Sequence, residues 1–97
     1  MRYEFESTLF PWDARRHDSW VFARLPADVS EEIHDAPHPP AGFGSVKVEA
    51  TLGSSRWSTS VFPERDGSFV IAIKKVVRKR EGVDVGDTVR MAVETLL

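Results

Sequence analysis

From Val46 to Val61 apolar and polar residues alternate almost without a break. Val46, Val48, Ala50 and Leu52 interleave with Lys47, Glu49 and Thr51. Beyond Gly53-Ser54-Ser55-Arg56, the residues Trp57, Thr59 and Val61 interleave with Ser58, Ser60 and Phe62. A period of two belongs to strands with one buried face, and so short an interruption points to an antiparallel hairpin. With Ser54-Ser55 as a two-residue turn, Leu52 faces Trp57, Ala50 faces Thr59 and Val48 faces Val61. A one-residue slip would send the apolar partners to opposite faces, so this register reads as strongly specified.

The flanking segments extend the same reading. Tyr3, Phe5, Ser7 and Leu9 alternate with charged and polar neighbours as a first strand, ended by Pro11-Trp12-Asp13. Ser19 to Leu25 forms a second strand with Trp20 and Phe22 on one face and Val21, Ala23 and Leu25 on the other, which implies a central or covered position. A short helix follows Pro26. Asp28 and Glu31 suit a capping box, Val29 and Ile33 make the buried stripe, and Pro37 ends it. The Pro- and Gly-rich stretch from Asp35 to Gly44 reads as a long loop within the domain.

Asp66-Gly67 marks a second hairpin leading into a strand from Phe69 to Ile73. A two-residue loop would set Ile71 opposite Phe62, and a bulged three-residue loop Ile73 opposite Val61; Pro63 favours an irregularity. A second helix spans Lys74 to Glu81, with Ile73, Val76 and Val77 inward and Gly82 at its left-handed stop. After Asp84-Val85-Gly86-Asp87 the last strand buries Val89, Met91 and Val93. The order is β-β-α-β-β-β-α-β. The expected fold is mainly β: a six-stranded antiparallel barrel, closed or half-closed, with two short helices. The alternative is an open antiparallel sheet with both helices on one face.

Ninety-seven residues suit one domain, read as spanning 1–97, and 41% hydrophobic content is enough for a modest core. Of the tryptophans, Trp57 and one side of Trp20 are expected in that core, with Trp12 partly exposed. The chain has no cysteine, which removes thiol nucleophiles, disulfides and Cys-based zinc sites and suits a reducing compartment. The first residues read as a strand rather than a signal peptide, and the longest apolar run, Phe69 to Ile73, is too short for a membrane span. A cytoplasmic location is the expectation. The formal charge is −2; residues 1–46 hold four basic and eight acidic groups, residues 47–97 nine and seven. An overall negative chain argues against nonspecific nucleic-acid binding.

Several of these segments together are similar to a known family. Arg56-Trp57-Ser58-Thr59-Ser60-Val61-Phe62-Pro63, then Val76-Val77-Arg78-Lys79, then Gly82-Val83-Asp84-Val85-Gly86-Asp87-Thr88-Val89, resemble the bacterial and archaeal domain of unknown function 1905. Trp20-Val21-Phe22, Leu25-Pro26 and Gly42-Phe43-Gly44-Ser45-Val46 add to the likeness. The resemblance implies a small barrel similar to the double-split barrels of transition-state regulators and antitoxins. It implies no activity, substrate or cofactor.

The feature most suggestive of function is the basic run Lys74-Lys75-Val76-Val77-Arg78-Lys79-Arg80. On a helix, Lys74 lies one turn from Arg78 and Lys75 one turn from Lys79. Each like-charged pair costs roughly 0.2–0.5 kcal/mol unless an anion offsets it. The plainer explanation is a solvated face whose later charges favour the C-terminal dipole. Arg56, Ser58 and Ser60 share the strand face opposite Trp57 and could line a polar groove with Lys47 and Glu49, or simply face solvent. The candidate anion patch is therefore Arg56, Ser58, Ser60, Lys74, Lys75 and Arg78.

No catalytic constellation is legible. Neither serine sits in a nucleophile elbow. Gly42-Phe43-Gly44 is too short for a dinucleotide site. His34, Asp35 and His38, with His17 and Asp18 elsewhere, do not make a metal site once Pro37 breaks the helical spacing. No cofactor or metal is expected. The function expected is a non-enzymatic binding or interaction module for a small anionic ligand or a protein partner, with homo-oligomerisation compatible. The alternatives are a DNA-binding barrel of the regulator type, or an enzyme with a site near Arg56, Ser58 and Arg78.

Overall fold

The computed structural model describes residues 1–13, 15, 20–36 and 44–96. The elements are β1 (Arg2–Thr8), β2 (Phe10–Pro11), β3 (Val21–Arg24), α1 (Ala27–Asp35), β4 (Val46–Leu52), β5 (Ser55–Pro63), β6 (Phe69–Ala72), α2 (Lys75–Glu81) and β7 (Thr88–Thr95). The strands form a single sheet ordered β1-β7-β4-β5-β6-β3-β2, antiparallel throughout.

The two edge strands, β1 and β2, are separated in sequence by Leu9 alone, so the sheet has to curl until its edges approach. No ladder joins those edges among the described residues. Instead the Arg24 backbone N–H donates to Ser7 Oγ at 3.0 Å. The result is a half-barrel of seven strands, which keeps the half-closed form of the expected barrel and corrects the closed form and the count of six. The added strand is β2, where Phe10 pairs with Phe22 and Pro11 with Val21. Proline is tolerated there because β2 is an edge.

The central hairpin keeps its expected faces but not its expected register. Leu52 pairs with Ser55, Ala50 with Trp57, Val48 with Thr59 and Val46 with Val61, so the turn is Gly53-Ser54. The shift is two residues, which preserves parity: Val48, Ala50, Leu52 and Val61 still point into the core. Gly53 explains the choice of turn. Its φ is +59°, and a Cβ there would lie 1.9 Å from Glu81 Oε1. Trp57 is only half-buried, against the rim of the core, and its occluded Nε1 donates to no described residue.

Both registers offered for the second hairpin are replaced by a third: Val61 pairs with Ile71 and Pro63 with Phe69. The loop is Arg65-Asp66-Gly67. Gly67, at φ +88°, donates to Glu64 O, and the Asp66 carboxylate takes both the Ser68 N–H and hydroxyl.

Helix α1 buries Val29 and Ile33 as expected, but Asp28 does not cap it. The N-cap is Pro26, without a side-chain bond, and Asp28 lies within the first turn. Ser30 is also buried. Its hydroxyl donates to Leu25 O at 3.4 Å and accepts the Phe69 N–H at 3.0 Å, tying α1 to the ends of β3 and β6. Helix α2 buries Val77 and closes on Gly82 at φ +68°, with the Val83 N–H bonded to Arg78 O at 3.0 Å. Val76 is 58% exposed rather than inward, because Ile73 and Val77, one turn apart, already define the buried stripe. On β3 the inner residues Val21, Ala23 and Leu25 are buried, but the other face is open. There Trp20, Phe22 and Phe10 pack ring against ring at 6.3 and 6.2 Å, with the Arg24 guanidinium 5.0 Å from the Phe10 centroid. Trp20 is therefore 70% exposed, and Trp12 73%. His38, His17, Asp18, Pro37 and Gly42-Phe43 lie outside the described residues.

The C-terminal end of α2 is clamped to the central hairpin. Glu81 accepts the Ser54 N–H at 3.3 Å and the hydroxyls of Ser54 and Ser55 at 3.0 and 2.7 Å, while Arg80 donates to Ser55 Oγ at 3.3 Å. The Ser55 hydroxyl, more than any other group, holds the Glu81 carboxyl below its ordinary value of 4.5.

Two predictions follow from these contacts. Ser30→Ala leaves the buried Phe69 N–H without an acceptor and should cost about 1–3 kcal/mol, read as a lower urea midpoint at unchanged slope. A carboxyl whose folded pKa is depressed adds stability that is complete above its unfolded pKa and disappears as pH falls through the folded one. Glu81→Ala should accordingly be less stable than wild type at pH 7. The gap should close as urea midpoints are followed downward from pH 4.5.

Candidate functional site

The polar face of β5 is set by its pairing with β4. Ser60 stands opposite Lys47, Ser58 opposite Glu49 and Arg56 opposite Thr51, with Phe62 continuing the same face. On the other side of β5 the chain leaves β6 at Ala72. Buried Ile73 donates its N–H to Val21 O at 2.8 Å, and Lys74 follows in extended conformation at φ −60°, ψ 146° before α2 starts at Lys75. The fixed position of Ile73 turns the next two side chains out over the polar face of β5.

The space between is a half-open groove of about 780 Å³. Lys47, Lys74, Lys75 and Arg78 provide its charge, Ser58 and Ser60 its hydroxyls, and Trp20, Phe62 and Ile73 much of its apolar wall. No Asp or Glu lines it among the described residues. Five of the six residues expected in the anion patch thus come together: Ser58, Ser60, Lys74, Lys75 and Arg78. Arg56 does not. It is exposed and ion-paired with Glu49, its diagonal neighbour across the ladder.

The four cations differ in their freedom. The amines of Lys47, Lys74 and Lys75 make no ion pair with any described residue, and all three side chains are exposed. Arg78 is largely committed to the fold. Its side chain is 17% exposed, with Nε donating to Ile73 O at 3.1 Å and Nη1 to Asp84 Oδ1 at 3.1 Å. Its carboxylate partner is Asp84, whose own N–H donates to Asp87 Oδ2 at 2.8 Å. The Val85 N–H, and after it Arg78, hold the Asp84 carboxyl below the usual range.

Lys74 and Lys75 also occupy the end of α2 where a cation is least favoured. Helix dipoles are positive at the N-terminus, and α2 has no acidic residue in its first turn. The C-terminal-dipole explanation therefore accounts for Lys79 and Arg80 but not for these two. The groove residues that the sequence did not mark for a site include Trp20, Phe62, Ile73 and Leu96. For Phe62 and Trp20 a signal existed: Phe62 shares parity with Ser58 and Ser60, and Trp20 lies on the strand face opposite Val21.

In the groove, neither the Ser58 nor the Ser60 hydroxyl is hydrogen-bonded to a histidine or carboxylate among the described residues, the arrangement that would activate a serine as a nucleophile. Elsewhere, the His34 ring packs 5.8 Å from Phe69, and no three His, Asp or Glu side chains are grouped as a metal site among the described residues. No helix among them is long and apolar enough to cross a membrane.

No curated protein matches this chain. The sequence signature of a family described as a domain of unknown function, DUF1905, matches residues 5–93, from within β1 to within β7 and across nearly all of the groove. The chain belongs to the DUF1905 family.

Proposed function

We propose that the protein is a binding module for a small anion, held in the groove between the polar face of β5 and the start of α2. One observation carries this reading: Lys47, Lys74 and Lys75 surround one groove and, among the described residues, lack ion-pair partners and meet no carboxylate along its walls. Like charges gathered at the positive end of a helix cost stability, and a bound anion removes that cost while adding charge-assisted hydrogen bonds. Ser58 and Ser60 supply neutral donors on the facing wall. Arg78 acts chiefly as a brace between the end of β6 and the turn after α2, with its guanidinium edging the site. A cytoplasmic setting is part of the same proposal and rests on the cysteine-free composition.

Melting temperatures measured in sodium sulfate or phosphate, against sodium chloride at equal ionic strength, test the reading. Wild type should show a saturable rise in sulfate and phosphate. Lys74→Ala/Lys75→Ala should lose at least half of it, and Arg56→Ala should keep all of it. Equal rises in wild type and the double variant would end the proposal. Arg78→Ala should behave differently, losing about 1–3 kcal/mol of stability in the absence of any anion, because a buried carbonyl loses its charged donor.

A further inference from the structure

The lysines account for only part of the groove. Its other wall is apolar, and it includes two large aromatic side chains left open to solvent, Trp20 at 70% and Phe62 at 42% exposure, beside Ile73 and Leu96. An inorganic anion would use none of this surface. Trp20 is nevertheless tethered through its backbone and packed on one face of its ring. Its carbonyl accepts the Trp12 N–H at 2.7 Å, and its ring packs against Phe22 at 6.3 Å. Aromatic side chains fixed in this way offer contact area at small entropic cost. The volume of about 780 Å³ is also far larger than a bare oxyanion needs, and it falls within the roughly 300–1,000 Å³ of small-molecule sites.

We infer that the ligand of this groove is an amphipathic anion, with a carboxylate, sulfonate or phosphate head among Lys47, Lys74 and Lys75 and a flat apolar body against Trp20 and Phe62. This rests on the anion reading above and adds the chemical class of the ligand to it. The two walls divide the recognition. The lysines require charge, and the aromatic pair requires apolar area. A compound that has only one of the two features therefore leaves one wall in water.

Isothermal titration with three compounds separates these contributions: naphthalene-2-sulfonate, methanesulfonate and the uncharged naphthalene-2-sulfonamide. Naphthalene-2-sulfonate should bind at least tenfold tighter than either of the others. Trp20→Ala and, separately, Phe62→Ala should each weaken it about tenfold while leaving the sulfate-induced rise in melting temperature unchanged. Two variants at exposed positions, each checked by circular dichroism, guard against the loss of one through misfolding. Equal affinity for the two sulfonates would overturn this inference and leave the anion reading standing. Equal affinity for the sulfonate and the sulfonamide would overturn both, since the charge would then contribute nothing. An absence of binding by all three would also overturn both. Tight naphthalene-2-sulfonate binding that survives both aromatic substitutions would place the compound elsewhere and overturn the inference.

Discussion

A single residue, Leu9, connects the two ends of a seven-stranded sheet, and most of the architecture follows from that short link. β1 and β2 are consecutive in sequence yet lie at opposite edges, so the sheet must bend through the five strands between them until its edges almost meet. Leu9 itself is buried. Its N–H bonds to Asp87 O at 2.9 Å and its carbonyl to the Gly86 N–H at 2.9 Å, so the corner is pinned by the turn that leads into β7. The bend gives the sheet a concave face, where the core collects, and a convex face with no second layer over it among the described residues. Both edges offer little to another strand. β2 is two residues long and ends on proline, and β1 carries Arg2, Glu4 and Glu6 along its exposed face.

An uncovered convex face is what makes a surface groove possible, and parity decides which residues reach it. Side chains alternate across a strand, so every residue of β5 that shares parity with Ser58 lies on the convex side. The two-residue difference between the expected and observed registers of the β4–β5 hairpin therefore left each side chain on its proper face. It changed only which ones are neighbours. That change has a chemical consequence: Lys47 now stands opposite Ser60, and Arg56 comes within reach of Glu49. The same ladder that brings one cation to the groove removes another from it.

Six of the seven strands, their order with the two helices, and most of the buried stripes were legible in the sequence because hydrophobic periodicity reports burial directly. The faces of the central hairpin, the inward set Val89, Met91 and Val93 on β7, and the Gly82 stop all follow from local pattern. What was not legible depends on contacts between distant segments. β2 is a strand only because β3 folds back beside Phe10. The Gly53-Ser54 turn, which Gly53 permits, is also held by Glu81, 27 residues from Ser54. Barrel closure was decided by how far the sheet bends, which no single strand encodes. Within the site, the chain order β6–Ile73–Lys74–α2 was enough to bring the lysines near β5. The exposure of Trp20 was not foreseen, because two apolar faces on one strand look alike until a covering layer is present or missing.

The anchoring of α2 is distributed unevenly along its length. Val77 enters the core near its middle. Arg78 braces it from Ile73 to Asp84, Gly82 and Val83 close its last turn, and Arg80 and Glu81 meet the hairpin through Ser54 and Ser55. All of these contacts lie at Val77 or beyond it toward the C-terminus. The first residues, Lys74 and Lys75, make no ion pair with any described residue. They carry charge of the wrong sign for a helix N-terminus, where an acidic residue would be more stable. A helix held firmly at one end can present unfavourable charges at the other without unfolding. The cost of those charges falls on the groove wall, where the proposed anion would offset it, and leaves the core untouched. The stability of the domain and the chemistry of its groove are thus carried by different residues of the same short helix.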